Sequence, residues 1–160
     1  QTREHYFGEI ADSKMVLSEM GILANKHWNE IPEHFPFVIL EEFVVMPNHV
    51  HGIIIIDKSH NIPDHVSDVE TPKLGVSTNN KTINVTKTIA ASQKWKPQSL
   101  GVIINQFKRI VSIKSRKINA DFAWQTRFHD HIIRNKASYE KISNYIANNP
   151  PRWKEDKFYN

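Results

Sequence analysis

Residues 37–57 read FVILEEFVVMPNHVHGIIIID, two apolar, β-branched runs joined by a short turn. Phe37 to Met46 is short enough for a buried strand. Pro47-Asn48 supplies turn chemistry, and His49 to Asp57 forms the second strand. Alternate side chains of an extended chain share a face, so His49 and His51 point one way and Val50 the other. Two imidazoles placed like this can share one metal ion; packing and hydrogen bonding also account for such a pair taken alone.

Upstream, Ser13 to Trp28 predicts a helix with Val16, Met20, Leu23 and His27 at three- and four-residue spacings, Asp12 or Ser13 as its cap, and Gly21 as its weak point. Downstream, residues 58–96 are polar, rich in threonine and asparagine, and lack sustained periodicity beyond Ile83, Val85 and Ile89. They read as a partly mobile insertion within a single domain spanning residues 1–160. Ser99 can cap a helix whose apolar positions are Leu100, Ile103, Phe107, Ile110 and Val111, with Lys108, Arg109, Lys114 and Arg116 elsewhere around it. Phe122 to Gln125 and Phe128 to Ile133 look extended around a bend, and Asn135 caps a last helix, Lys136 to Asn149, stopped by Pro150-Pro151. The order helix, strand, strand, helix, strand, helix becomes a ferredoxin-like, split βαβ α+β fold if one strand precedes Gln1. Helices would then cover one face of an antiparallel sheet, leaving the other face for a substrate, with the C-terminal helix as an added element.

At 160 residues the chain suits one core. It has no cysteine, so disulfides and thiolate zinc sites are excluded, and a bound metal must take nitrogen and oxygen ligands. Its apolar runs fall short of the ~20 residues of a membrane span, so a cytoplasmic protein without a membrane partner is expected. Charge is distributed unevenly. Residues 71–120 hold ten Lys and Arg and no Asp or Glu, leaving 11 basic against 17 acidic residues elsewhere. A surface that neutralises phosphates has this asymmetry, and so does a solvated basic face.

Near the C-terminus, Tyr145 and Asn149 stand four apart in Tyr145-Ile146-Ala147-Asn148-Asn149-Pro150, on one helical face about a turn from each other. A phenol and an amide oxygen can approach one ion from there. A core tyrosine and a helix-ending asparagine are the plainer explanation of the same residues.

In combination, Met46-Pro47-Asn48-His49-Val50-His51-Gly52, then Trp124-Gln125, Phe128-His129-Asp130-His131 and Tyr145-Ile146-x-x-Asn149-Pro150, resemble the single-tyrosine HUH transposases, and most nearly their REP-associated branch. The resemblance covers most of the chain outside residues 58–96, a long polar segment that departs from that family's compact pattern. It implies a ferredoxin-like fold, metal ligation by His49, His51 and Asn149, and Tyr145 as nucleophile. It further implies Mg2+ or Mn2+ as the ion and single-stranded DNA beside imperfect hairpins as the substrate. The setting would be bacterial, nucleoid-associated when bound to DNA, with the protein a monomer or a homodimer.

The chemistry suits these residue types. A tyrosine attacking a phosphodiester forms a covalent 5′-phosphotyrosine and frees a 3′ hydroxyl, so the strand can be rejoined without a nucleotide cofactor. With an ordinary phenol pKa of about 10, roughly a thousandth is ionised at neutral pH, so the attack needs assistance. Lys141, one turn before Tyr145, is a candidate for the proton. Lys108, Arg109, Lys114 and Arg116 are candidates to hold phosphates, and Trp95, Trp124 or Trp153 to stack on bases, although each tryptophan equally suits a core. His129 and His131 are read as structural. Two other functions stay open: a catalytically silent nucleic-acid-binding module of the same fold, and a metal-dependent nuclease in which water attacks.

Overall fold

The computed structural model describes residues 4–57, 99–125, 128–156 and 159. The insertion expected at 58–96, with Trp95 inside it, lies outside the described residues. The fold is α+β, with two two-stranded antiparallel sheets and four α-helices among the described residues. No described helix is long and apolar enough to cross a membrane.

A hairpin opens it, β1 (Gly8–Ala11) pairing with β2 (Lys14–Leu17) in a register from Gly8 opposite Leu17 to Ala11 opposite Lys14. Asp12 and Ser13, at φ 48° and 61°, form the two-residue turn, and a pair of positive φ values suits the twist of tightly joined strands. This corrects the helix expected from Ser13. Polar residues that look like a cap are the turn instead, and helix α1 (Glu19–Asn29) begins six residues later. Ser18 is the true cap, its Oγ accepting from the Gly21 amide at 3.1 Å and donating to the Tyr6 carbonyl at 2.6 Å. The buried face is accordingly Gly21, Ala24 and Trp28, while Val16 lies half-exposed in β2. Gly21 is no weak point, because a Cβ there would stand 2.1 Å from the Phe7 carbonyl oxygen; the glycine lets the N-terminal segment cross the helix closely. A single turn, α2 (Ile31–His34), with Pro32 near its start, leads into the second sheet.

Strand β3 (Val38–Val45) pairs with β4 (Val50–Ile56), close to the expected strands, with the turn between them at Met46 to His49. The register shifts between Leu40 and Phe43. Glu41 and Glu42 together occupy the place of one residue, a β-bulge. The inward set therefore changes from Val38 and Leu40 to Phe43 and Val45, so both apolar pairs of VILEEFVV reach the core despite their odd spacing. Along β4, Val50, Ile54 and Ile56 face that same core, while His51 and Ile53 face the opposite side.

Helix α3 (Leu100–Ser115) starts after Ser99 as expected, although the Ser99 side chain makes no capping hydrogen bond, and it buries Ile103, Phe107, Val111 and Ser115 against α1. The centre of the core is aromatic. Trp28 stacks on Phe43 with ring centroids 4.4 Å apart and meets Phe107 edge-on at 5.4 Å. From Ala120 to Asn135 no described residue forms a strand, so the third strand expected from this stretch is not formed there. Its anchors run to side chains and the loop backbone instead: the Arg116 guanidinium donates to the Phe122 carbonyl and Lys108 to that of Gln125.

Helix α4 (Lys136–Ala147), capped by Asn135, lies on the side of β3 and β4 away from α1 and α3. The bulge seats it. The Tyr139 hydroxyl donates to Glu41 at 2.8 Å and approaches Glu42 at 3.3 Å, and the bond to Glu41 does most to push that phenol up to about 12. Beyond Asn148 the chain turns into a 3-10 helix, Pro150–Glu155, where Pro150-Pro151 alone predicts only a stop.

Candidate functional site

The β3–β4 turn and α4 meet where the two informative motifs lie. Asn48, buried in the turn, has its side-chain carbonyl 2.7 Å from His49 Nδ1. A carbonyl oxygen only accepts, so this contact calls for the proton on Nδ1 and turns Nε2 toward His51. His49 Nε2 and His51 Nε2 stand 2.9 Å apart. Two nitrogens held side by side at ~2.1 Å from one ion are separated by about 3 Å, so the pair is set as two ligands would be.

Tyr145, on α4, brings its ring edge-on to His51, centroids 5.4 Å apart. Its hydroxyl donates to Asp156 Oδ2 at 2.7 Å. Burial first, then this bond and the carboxylate's charge, push the phenol up to about 12, while the Asn149 amide pulls the other way. Asn149 is 2% exposed; its Nδ2 donates to the same Asp156 oxygen at 3.0 Å, and its Oδ1 is buried without a hydrogen-bond partner. A buried amide oxygen without a partner is a donor that a cation satisfies, and Asp156, to which Asn149 is bonded, has a carboxylate ligand atom within 4.8 Å of those of both histidines. Trp153, buried in the 3-10 helix, backs His49 with ring centroids 5.9 Å apart.

The structure thus brings together His49, His51, Tyr145 and Asn149, all marked in the sequence. It adds Asp156, which carries no motif and reaches the site because Pro150-Pro151 opens a tight helix that folds the chain back. Lys141 is exposed on α4, and the phenol's hydrogen bond goes to Asp156 rather than to it. His129 and His131 are exposed and stand outside the cluster.

The basic and aromatic residues of α3 and its sequel lie behind the sheet from Tyr145. Trp124 packs against Phe7 and Phe107, centroids 5.1 Å and 5.7 Å away, and donates from Nε1 to the Lys108 carbonyl. Lys108 reaches over the Trp124 ring at 5.6 Å, and burial holds its pKa below the ordinary value. Arg109 and Lys114 are exposed on the helix surface. Gln125 donates to the Asn48 carbonyl at 3.3 Å, so Trp124-Gln125 is a strut from α3 to the histidine turn.

Without a metal, the Tyr145 phenol should titrate late. The neutral form is favoured in the fold, so the stability this contributes is complete below pH 10 and fades as pH rises through about 12. Phenolate absorbance near 295 nm should show Asp156→Asn bringing one tyrosine's transition back toward pH 10. An unchanged curve would mean the carboxylate does not hold the phenol.

No protein-family model and no solved structure matches the chain. It is 35% identical over 164 residues to an uncharacterized protein of Haemophilus influenzae, an alignment spanning 99% of this chain and 80% of that protein. The alignment spans nearly the whole chain, and the chain belongs to the same family as that Haemophilus influenzae protein.

Proposed function

We propose that this protein is a metal-dependent transposase and endonuclease of single-stranded DNA, of the single-tyrosine HUH type and nearest its REP-associated branch, acting at or near hairpins through Tyr145. One observation carries the reading: a phenol, two imidazoles and a carboxylate held by the Asn149 amide converge from sequence positions about 100 residues apart. The β3–β4 sheet, with α1 and α3 on one face, is read as part of a ferredoxin-like frame. Bacterial cytoplasm is the expected setting, with a DNA partner and a monomeric or homodimeric state.

His49, His51 and Asn149 would hold a divalent ion, Mg2+ or Mn2+, with Asp156 beside them. Such an ion, when bound, polarises the scissile phosphate and offsets its charge. Tyr145 Oη attacks the phosphorus, the bond to the 3′ oxygen breaks, and a 5′-phosphotyrosine forms. Asp156 is placed to take the phenol's proton, which ends on the departing 3′ oxygen. Reversal of the same steps rejoins the strand. Asn149 holds the Asp156 carboxylate, and Asn48 holds the His49 ring.

A second reading, a nuclease that activates water, is favoured by the His49, His51, Asp156 trio, which resembles an ordinary hydrolytic ligand set. The test incubates the chain with labelled single-stranded hairpin DNA and Mn2+ and seeks an adduct that survives denaturation. Cleavage without an adduct supports the water reading; hairpin binding with neither leaves a silent binding module.

Metal binding has its own test. Asn48→Ala is expected to weaken Mn2+ binding by roughly 10- to 100-fold, because the partner of a ligating imidazole sets its tautomer and orientation. His49→Ala and His51→Ala should weaken it further. Calorimetric titration reads this directly, and unchanged affinity in all three variants would remove the ion from the proposal.

A further inference from the structure

A cavity of about 210 Å3 adjoins the reactive phenol, lined by Tyr145, Asn148, Asn149, Arg152, Glu155 and Asp156. Three of these belong to the cluster already described. Asn148, Arg152 and Glu155 have no part in the proposed chemistry, yet they form the cavity's other wall. They supply an amide, a guanidinium and a carboxylate, the groups that read base edges.

We propose that this cleft is a nucleobase pocket that selects guanine at a position adjoining the scissile phosphate; the inference rests on the DNA-cleaving reading above. The cavity is smaller than the 300–1,000 Å3 typical of drug-sized ligands, so it suits one ring system. Because Tyr145 is part of its wall, a base lodged there belongs to a nucleotide beside the phosphate under attack. Arg152 Nε and Nη2 both donate to Glu155 Oε2, at 2.9 and 2.8 Å, and both side chains are about two-thirds exposed. An exposed pair like this holds itself together weakly, so a ligand satisfying both ends can open it.

Guanine satisfies both ends. Its O6 and N7 accept from a guanidinium, and its N1–H and 2-amino group donate to a carboxylate. Adenine lacks the second acceptor, and the pyrimidines lack N7. The donors on guanine's pairing edge are free only when the base is unpaired, which ties the pocket to single strands.

The test first maps the cut, then measures initial adduct rates on single-stranded hairpin DNAs carrying each of the four bases at each position flanking it. The expected result is a preference for guanine of roughly 5- to 100-fold at one position. Arg152→Ala and Glu155→Gln should each bring that ratio toward one; both side chains are exposed, so the variants should fold. Equal rates for all four bases, or a preference that survives both substitutions, would overturn the pocket while leaving the tyrosine chemistry standing. No adduct on any substrate would overturn the DNA-cleaving reading, and this inference with it.

Discussion

Tyr145→Phe is expected to abolish the covalent adduct and to slow strand cleavage by on the order of a thousandfold or more, with hairpin and Mn2+ binding retained. The substitution removes one oxygen from a side chain that is 46% exposed and rests edge-on against His51, so packing should survive. What is lost is the oxygen proposed to form the phosphotyrosine. The hydrogen bond to Asp156 goes with it, leaving that carboxylate still paired with Asn149. His51→Ala separates this reading from water attack. Both variants should be inactive if tyrosine is the nucleophile, whereas an active Tyr145→Phe beside an inactive His51→Ala would establish a hydrolytic nuclease.

Gly52→Ala should destabilise the fold by about 3 kcal/mol, the upper end of the range for overpacked cores, lowering the melting temperature by roughly 6–12 °C. A Cβ at position 52 would stand 2.3 Å from Trp28 Cζ2 and 2.7 Å from Cη2. The indole cannot easily yield, because Phe43 stacks on it in near-parallel fashion and Phe107 closes its edge. A smaller ring should relieve the clash, so Gly52→Ala combined with Trp28→Phe should cost less than the sum of the two single changes. Strict additivity in thermal or urea unfolding would mean the contact is not the cause. The same glycine follows His51 directly, so the histidine pair is mounted on a strand pressed against the rigid centre of the core.

The local parts of this protein are legible in its sequence. Alternation placed His49 and His51 on one face, and helical spacing together with Ser99 and Asn135 located α3 and α4, because each of these signals depends on neighbours a few residues away. Two local signals misled. Asp12-Ser13 resembles a helix cap and forms a hairpin turn, since positive φ at both residues is not written in residue type alone. Phe122 to Gln125 has the composition of a strand and forms none, held instead by Arg116, Lys108 and Asn48 through partners far along the chain.

What the sequence by itself determined is therefore the sheet that carries the histidines, the helix that carries the tyrosine, and the identity of four of the five groups at the site. Only the tertiary structure decided that Asp156 is the fifth, that Trp124 packs in the core, and that the Glu41–Glu42 bulge seats α4 over His51. The physical reason is range. Periodicity and capping are fixed by backbone geometry within a turn or two, whereas a carboxylate meets a phenol eleven residues away only after the chain has been folded back on itself.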